Sequence, residues 1–192
     1  MLNAINNAFD IVKEEVRKTY KVFPAVYESQ RDNVFDGSVT CAITCLSMLL
    51  QTYNLDEYAG NIACGEHEED RILTDIRDNL PMYLEQAKRF CINRTEQSLR
   101  TNFHFLRWYA KEKYAVELDY SNCKKQTLNR LIDTIDAPFI ISTSRALTAY
   151  GHIILARGRA VTAAGLSLIA NDPWGEYPYK TKKSGEEVIY PA

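Results

Sequence analysis

The hydrophobic period of this chain changes once, at Tyr114, and that change limits the folds open to it. Before Tyr114 the apolar residues recur at helical spacing. Leu2, Ile5, Phe9, Val12, Val16 and Tyr20 form one such stripe, and Ile72, Ile76 and Leu80 form a second. Pro81 can open a further helix bearing Met82, Leu84, Ala87 and Phe90. Residues 99–114 carry Phe103, Leu106, Trp108, Tyr109 and Tyr114. After Tyr114 the text turns strand-like. Residues 115–120 alternate, 138–143, 150–158 and 165–171 read as buried strands, and 188–190 as an edge strand. Residues 124–135 return to helix. Helices first and an antiparallel sheet last predict an α+β fold rather than an alternating α/β one. The chain of 192 residues suits a single domain, 1–192, with an N-terminal helix over 2–21 and a helical elaboration over 56–113. Pro24 ends the first helix and starts an extended lead-in.

Composition removes several classes of function. A formal net charge of -2 leaves no basic excess to neutralise phosphates, so no nucleic-acid partner is expected. No apolar run approaches the roughly 18 residues of a membrane span. Asp10, Glu14 and Glu15 interrupt the N-terminal stripe, which therefore does not read as a secretory signal. The five cysteines, at 41, 45, 64, 91 and 123, are odd in number and lack framework spacing. They read as reduced thiols in a cytoplasmic protein, with a signal-independent route of export left open.

Residues 37–50 carry the chemistry. A polar turn led by Gly37 runs into an apolar helix with Cys41 at the junction. The unpaired N–H groups and partial positive charge of a helix start favour thiolate over thiol, and thiolate is the nucleophile. A thiolate of this kind needs an imidazole, a group that fixes the imidazole tautomer, and donors for an oxyanion. Of the three histidines, His67 sits in an acidic helix start and reads as solvated, and His104 lies between Phe103 and Phe105 and reads as structural. His152 begins an apolar strand straight after Gly151, where a polar ring needs a partner. Asp172 ends the next strand and could meet His152 at the sheet end, although Asp172-Pro173-Trp174-Gly175 is also an ordinary turn sequence. Cys45 is a rival nucleophile, but one turn inside the apolar helix a thiol is usually packing. Cys41-x3-Cys45 and Cys64-x2-His67 match no closed zinc pattern, and no metal or cofactor is expected. Tyr150 and Trp174 could wall the site against water or simply pack in the core.

Taken in order, Gln30-Arg31-Asp32-Asn33, Cys41 with Thr44, Leu46, Ser47 and Met48, Gly151-His152, and Asn171-Asp172-Pro173-Trp174-Gly175 resemble the papain-like cysteine peptidases related to the bacteriocin leader peptidases. The likeness is to stand-alone members of phage or bacterial type. It implies a papain-like fold with Cys41 as nucleophile, His152 as general base and acid, and Asp172 as orienter. It also implies Gln30 and the Cys41 N–H as the oxyanion hole; Tyr150 and Trp174, read from the residues alone, are the candidate substrate-binding side chains. Ala42-Ile43 depart from the residues that usually follow the nucleophile in that family.

The expected activity is cleavage of a peptide or isopeptide bond through an acyl-enzyme on Cys41. A peptidoglycan cross-bridge is the expected substrate if the protein is a phage lysin. Acyl transfer and deamidation use the same three side chains, and a non-catalytic binding protein could keep the fold. These alternatives stand beside hydrolysis at this point.

Overall fold

A strand of eleven residues, far longer than its neighbours, is the axis of the molecule. A computed structural model describes residues 20–35, 37–55, 67–90, 95–120, 128–133, 135–144, 151–163, 165–175 and 185–191. In chain order the elements are β1 (Tyr20–Val22), α1 (Cys41–Thr52), α2 (Glu68–Asp78), α3 (Leu80–Ala87), α4 (Glu96–Thr101), α5 (Phe103–Tyr114) and α6 (Leu128–Asp133), then β2 (Phe139–Ser144), β3 (His152–Thr162), β4 (Gly165–Asn171) and β5 (Val188–Pro191). All strand pairings are antiparallel. β3 pairs along one side with β4, which carries β5. On its other side, the first half of β3 pairs with β2 and the second half with β1.

The helices-then-sheet order holds with one difference. β1 precedes every described helix and adds to the sheet beside residues 158–160. The last two positions of the N-terminal helix expected over 2–21, Tyr20 and Lys21, therefore belong to a strand, and the earlier ones lie outside the described residues. Of the elaboration expected over 56–113, residues 67–90 and 95–113 are described and are mainly helical. The alternating stretch 115–120 is not a strand. Ala115 adopts the left-handed conformation that ends α5, with φ of 56°. Val116 and Leu118 then pack half-buried on the core, and Arg107 Nε donates to the Leu118 carbonyl at 2.5 Å. The alternation marks two half-buried side chains on a mainly helical core and no pairing in a sheet.

Strand period sorts β3 between two cores. Ile153 and Leu155 join α1 and the helical elaboration, while Ile154 and Ala156 join Ile132, Leu168, Ala170 and Val188. α1 is apolar almost all round, with Ala42, Ile43, Cys45, Leu46, Met48 and Leu50 fully buried, as expected of a helix enclosed on several sides. The departure at Ala42-Ile43 is thus core packing behind Cys41. Among the described residues no helix is long and apolar enough to cross a membrane.

Candidate active site

Cys41 is the first residue of α1, and its side chain is partly exposed while the next residues are buried. The segment before it is fixed to the helix. Asn33 Nδ2 donates to Thr40 Oγ1 at 2.8 Å and to Thr44 Oγ1 at 3.1 Å. Thr40 caps no N–H with its side chain; its hydroxyl donates instead to the Gly37 carbonyl at 3.2 Å. The thiol therefore stands at a helix start whose first turn is not closed by an Ncap side chain.

His152 opens β3, and Asp172 follows the last residue of β4. Leu155 pairs with Asn171, so extending the register by one residue puts Asp172 opposite Ile154 and diagonal to His152. The two side chains meet: His152 Nε2 and Asp172 Oδ1 lie 2.7 Å apart. Both are buried, Asp172 completely. Burial on its own would lower the basicity of the His152 ring. Hydrogen bonds with Asp172 and with the Cys41 thiol, together with their negative charge, outweigh it and bring the pKa up to about 9. The imidazole is thus paired with a buried carboxylate, and the Cys41 thiol is among the groups that raise its pKa.

Asp172 is itself surrounded by donors. Trp174 N donates to Oδ1 at 2.8 Å, and the Tyr190 hydroxyl donates to Oδ2. Its own N–H donates to the Gly185 carbonyl at 2.8 Å. The preceding Asn171 donates from Nδ2 to the Val26 carbonyl at 2.8 Å, and its Oδ1 accepts from Arg157 and from the Glu187 N–H, each at 3.2 Å. Arg157 can reach it because the β3–β4 register slips between Ala156 and Gly158.

Gln30 is joined to both halves of this arrangement. Its N–H donates to the Pro173 carbonyl at 2.9 Å, and its Nε2 donates to the Gly37 carbonyl just ahead of α1. A Cβ at Gly37 would collide with the Gln30 carbonyl oxygen, so the close approach requires glycine. The amide nitrogen carries two protons, and one bond to Gly37 leaves the second available. The Gln30 side-chain oxygen is buried without a partner among the described residues.

Trp174 is half-buried, and the Arg31 guanidinium lies over its ring at 5.1 Å from the centroid. Tyr150 lies outside the described residues. Cys45 is fully buried, and its Sγ donates to the Ile153 carbonyl at 3.5 Å. Burial first, then the charge of Cys41, Asp172 and Glu28, push its thiol well above the ordinary range. A thiol in that setting is packing. His67 is exposed at the start of α2, and His104, expected to be structural, is also exposed, with its ring 5.1 Å from that of Tyr120. Among the described residues no group of three or more His, Cys, Asp or Glu side chains could hold a metal ion.

Sequence reasoning passed over Tyr190, Gly185 and the role of Asn171. Tyr190 reads only as an edge-strand aromatic, and its hydroxyl reaches a site residue through β4–β5 pairing that no local pattern encodes.

A helix-led thiol, an imidazole at the start of one strand and a carboxylate at the end of the next describe an α+β, papain-like cysteine peptidase. The family model described as the Peptidase_C39-like family matches residues 23–192, and the chain belongs to that family. Membership makes it a cysteine peptidase in general terms, with a peptide or protein as substrate. Comparison with curated proteins and comparison with solved structures each found no significant match.

Proposed function

We propose that this protein cleaves a peptide or isopeptide bond through an acyl-enzyme on Cys41, with His152 as acid and base and Asp172 as its orienter. The observation that carries the reading is the buried His152 imidazole, flanked by Asp172 and the Cys41 thiol and held charged up to about 9. A proton on that ring favours thiolate at Cys41. The Cys41 sulfur attacks the scissile carbonyl carbon, and the developing oxyanion takes hydrogen bonds from the Cys41 N–H and the second Gln30 Nε2 proton. The carbon–nitrogen bond breaks as His152 gives its proton to the leaving amine. The neutral imidazole then takes a proton from water. The hydroxide attacks the thioester, the carbon–sulfur bond breaks, and imidazolium and thiolate return together. Trp174 supports this cycle by supplying a backbone donor to Asp172.

The test is a quenched-fluorescence peptide library, including branched isopeptide members, with products read by mass. Cys41→Ala abolishes iodoacetamide-sensitive cleavage, and Cys45→Ala retains it. Cleavage surviving in Cys41→Ala would overturn the assignment. A gain of about one mass unit without cleavage identifies deamidation, and a gain of the mass of an added amine identifies transfer.

A further inference from the structure

The C-terminal strand reaches into the site in a way the acyl-enzyme chemistry does not use. Asp172 is fully buried, and a carboxylate in that position requires a donor for each oxygen. Oδ1 serves both His152 Nε2 and Trp174 N. Oδ2 accepts from the Tyr190 hydroxyl on β5. The pairing of Tyr190 with Leu168 and of Val188 with Ala170 fixes where that phenol stands. The segment just before β5 grips the same place. The Gly185 carbonyl accepts from the Asp172 N–H at 2.8 Å, and the Gly185 N–H donates to Tyr27 Oη at 2.8 Å. A Cβ at Gly185 would strike the Asp172 carbonyl oxygen, so this contact requires glycine. Residues 185–190 therefore clamp Asp172 by its backbone and by its second oxygen.

We propose that Tyr190 is a positioning residue: its hydroxyl fixes the rotation of the Asp172 carboxylate and thereby holds the His152 imidazole in line with Cys41. The proposal rests on the reading of Cys41 and His152 given above. The titratable groups facing the imidazole are Asp172 and Cys41, and Asp172 in turn faces Tyr190 and acts on Cys45. Without the phenol, Oδ2 is a buried oxygen with no other donor among the described residues. The carboxylate then turns to share the remaining donors, and Oδ1 leaves its line to Nε2. His152 then loses part of the interaction that raises its pKa, and its ring is no longer held in line with the Cys41 sulfur.

Two readouts need no substrate. One is the rate at which iodoacetamide alkylates Cys41 at pH 7, followed by peptide mass mapping so that Cys45 does not contribute. The other is the titration midpoint of the His152 ring by NMR. Tyr190→Phe keeps the ring and its packing. It is expected to slow alkylation by roughly threefold to tenfold, the range set by one hydrogen bond to a charged group acting indirectly. It is also expected to move the His152 midpoint down from about 9. Ile189→Ala, on the exposed side of the same strand, is expected to leave both readouts unchanged. His152→Ala separates the two proposals. If it leaves the alkylation rate unchanged, the thiolate–imidazolium reading itself fails. If it slows alkylation while Tyr190→Phe changes neither rate nor midpoint, only the role of Tyr190 is overturned. An equal loss in Ile189→Ala also overturns it, because the effect then belongs to strand docking. Should Tyr190→Phe not fold, 4-fluorophenylalanine at position 190 fills the space of the hydroxyl without supplying a donor. An unmoved His152 midpoint in that protein overturns the proposal.

Discussion

Two buried carboxylates in this molecule are built alike and do different work. Asp172 ends β4 and receives the Tyr190 hydroxyl, the Trp174 N–H and His152 Nε2. Asp75, on α2, receives the hydroxyls of Tyr83 and Tyr109 at 2.5 and 2.9 Å, Asn79 Nδ2 at 3.0 Å and Lys113 Nζ at 3.2 Å. Each is a carboxylate paid in full with donors, phenols among them. The difference lies in the cation. The Lys113 amine bonds Asp75 and lies over the Tyr83 ring, so Asp75 ties α2, α3 and α5 together and stops there. His152 can release its proton, and the Cys41 thiol is among the groups that act on it. Burial with donors produces a rigid joint in either place. It becomes a candidate site only where the partner titrates and faces a nucleophile.

The sharpest way to break the comparison is to remove each carboxylate. Asp172→Ala is expected to lower turnover per folded molecule by roughly a hundredfold or more, the usual weight of placing a general acid and base. Asp75→Ala is expected to leave turnover within about twofold. It should cost about 3–5 kcal/mol of stability, because Lys113 and two tyrosine hydroxyls stay buried without their acceptor. Urea unfolding and the peptide-cleavage assay read the two effects separately. Equal losses of turnover would put the helical elaboration inside the site and end the distinction.

A second test uses pH. His152 has a folded pKa of about 9, raised from 6.5. A raised pKa means that the folded state binds the proton more tightly, so the stability it contributes is present in full below about pH 6.5 and is lost as pH rises through about 9. A shift of this size corresponds to about 3 kcal/mol. Urea midpoints measured from pH 6 to pH 10 should fall across that window, and His152→Gln should flatten the fall. A fall that persists unchanged in His152→Gln would assign it elsewhere.

Part of the same curve belongs to a third, smaller feature. Glu69 on α2 and Glu28 in the loop before Gln30 lie together, and Gln51 Nε2 bridges Ser47 Oγ at 2.9 Å and the Glu28 carboxylate. Burial first, then the charge of Glu28 and a hydrogen bond with it, raise Glu69 from 4.5 to about 8. Burial likewise raises Glu28. The pair is held in the fold by a retained proton, and the stability this gives is present below about pH 4.5 and lost as pH rises through about 8. Glu69→Gln keeps a donor there at every pH. It should raise the urea midpoint at pH 8, by on the order of 1 kcal/mol, and leave the midpoint at pH 4 almost unchanged. No gain at pH 8 would show that the pair is not strained by ionisation.

The sequence by itself determined a good deal. Apolar period and Pro81 located the helices. The residues of β4 were legible to the last position, because a short apolar run closed by the Asp-Pro-Trp-Gly turn marks a buried strand from within. The thiol at the start of an apolar helix, the histidine opening a strand and the Asp-Pro-Trp-Gly turn could be named because each is a local contrast between polar chemistry and apolar surroundings. Three other features came only from tertiary structure. Residues 115–120 alternate as a strand would, yet they lie on helices, because period reports which side chains are buried and not what buries them. Tyr20 and Lys21 sit at the end of a helical stripe, yet pair with β3, because strand partners come from anywhere in the chain. Tyr190 carries no local sign that its hydroxyl meets Asp172, eighteen residues earlier. Register across β4 and β5 puts it there, and register is a property of the sheet rather than of any one strand.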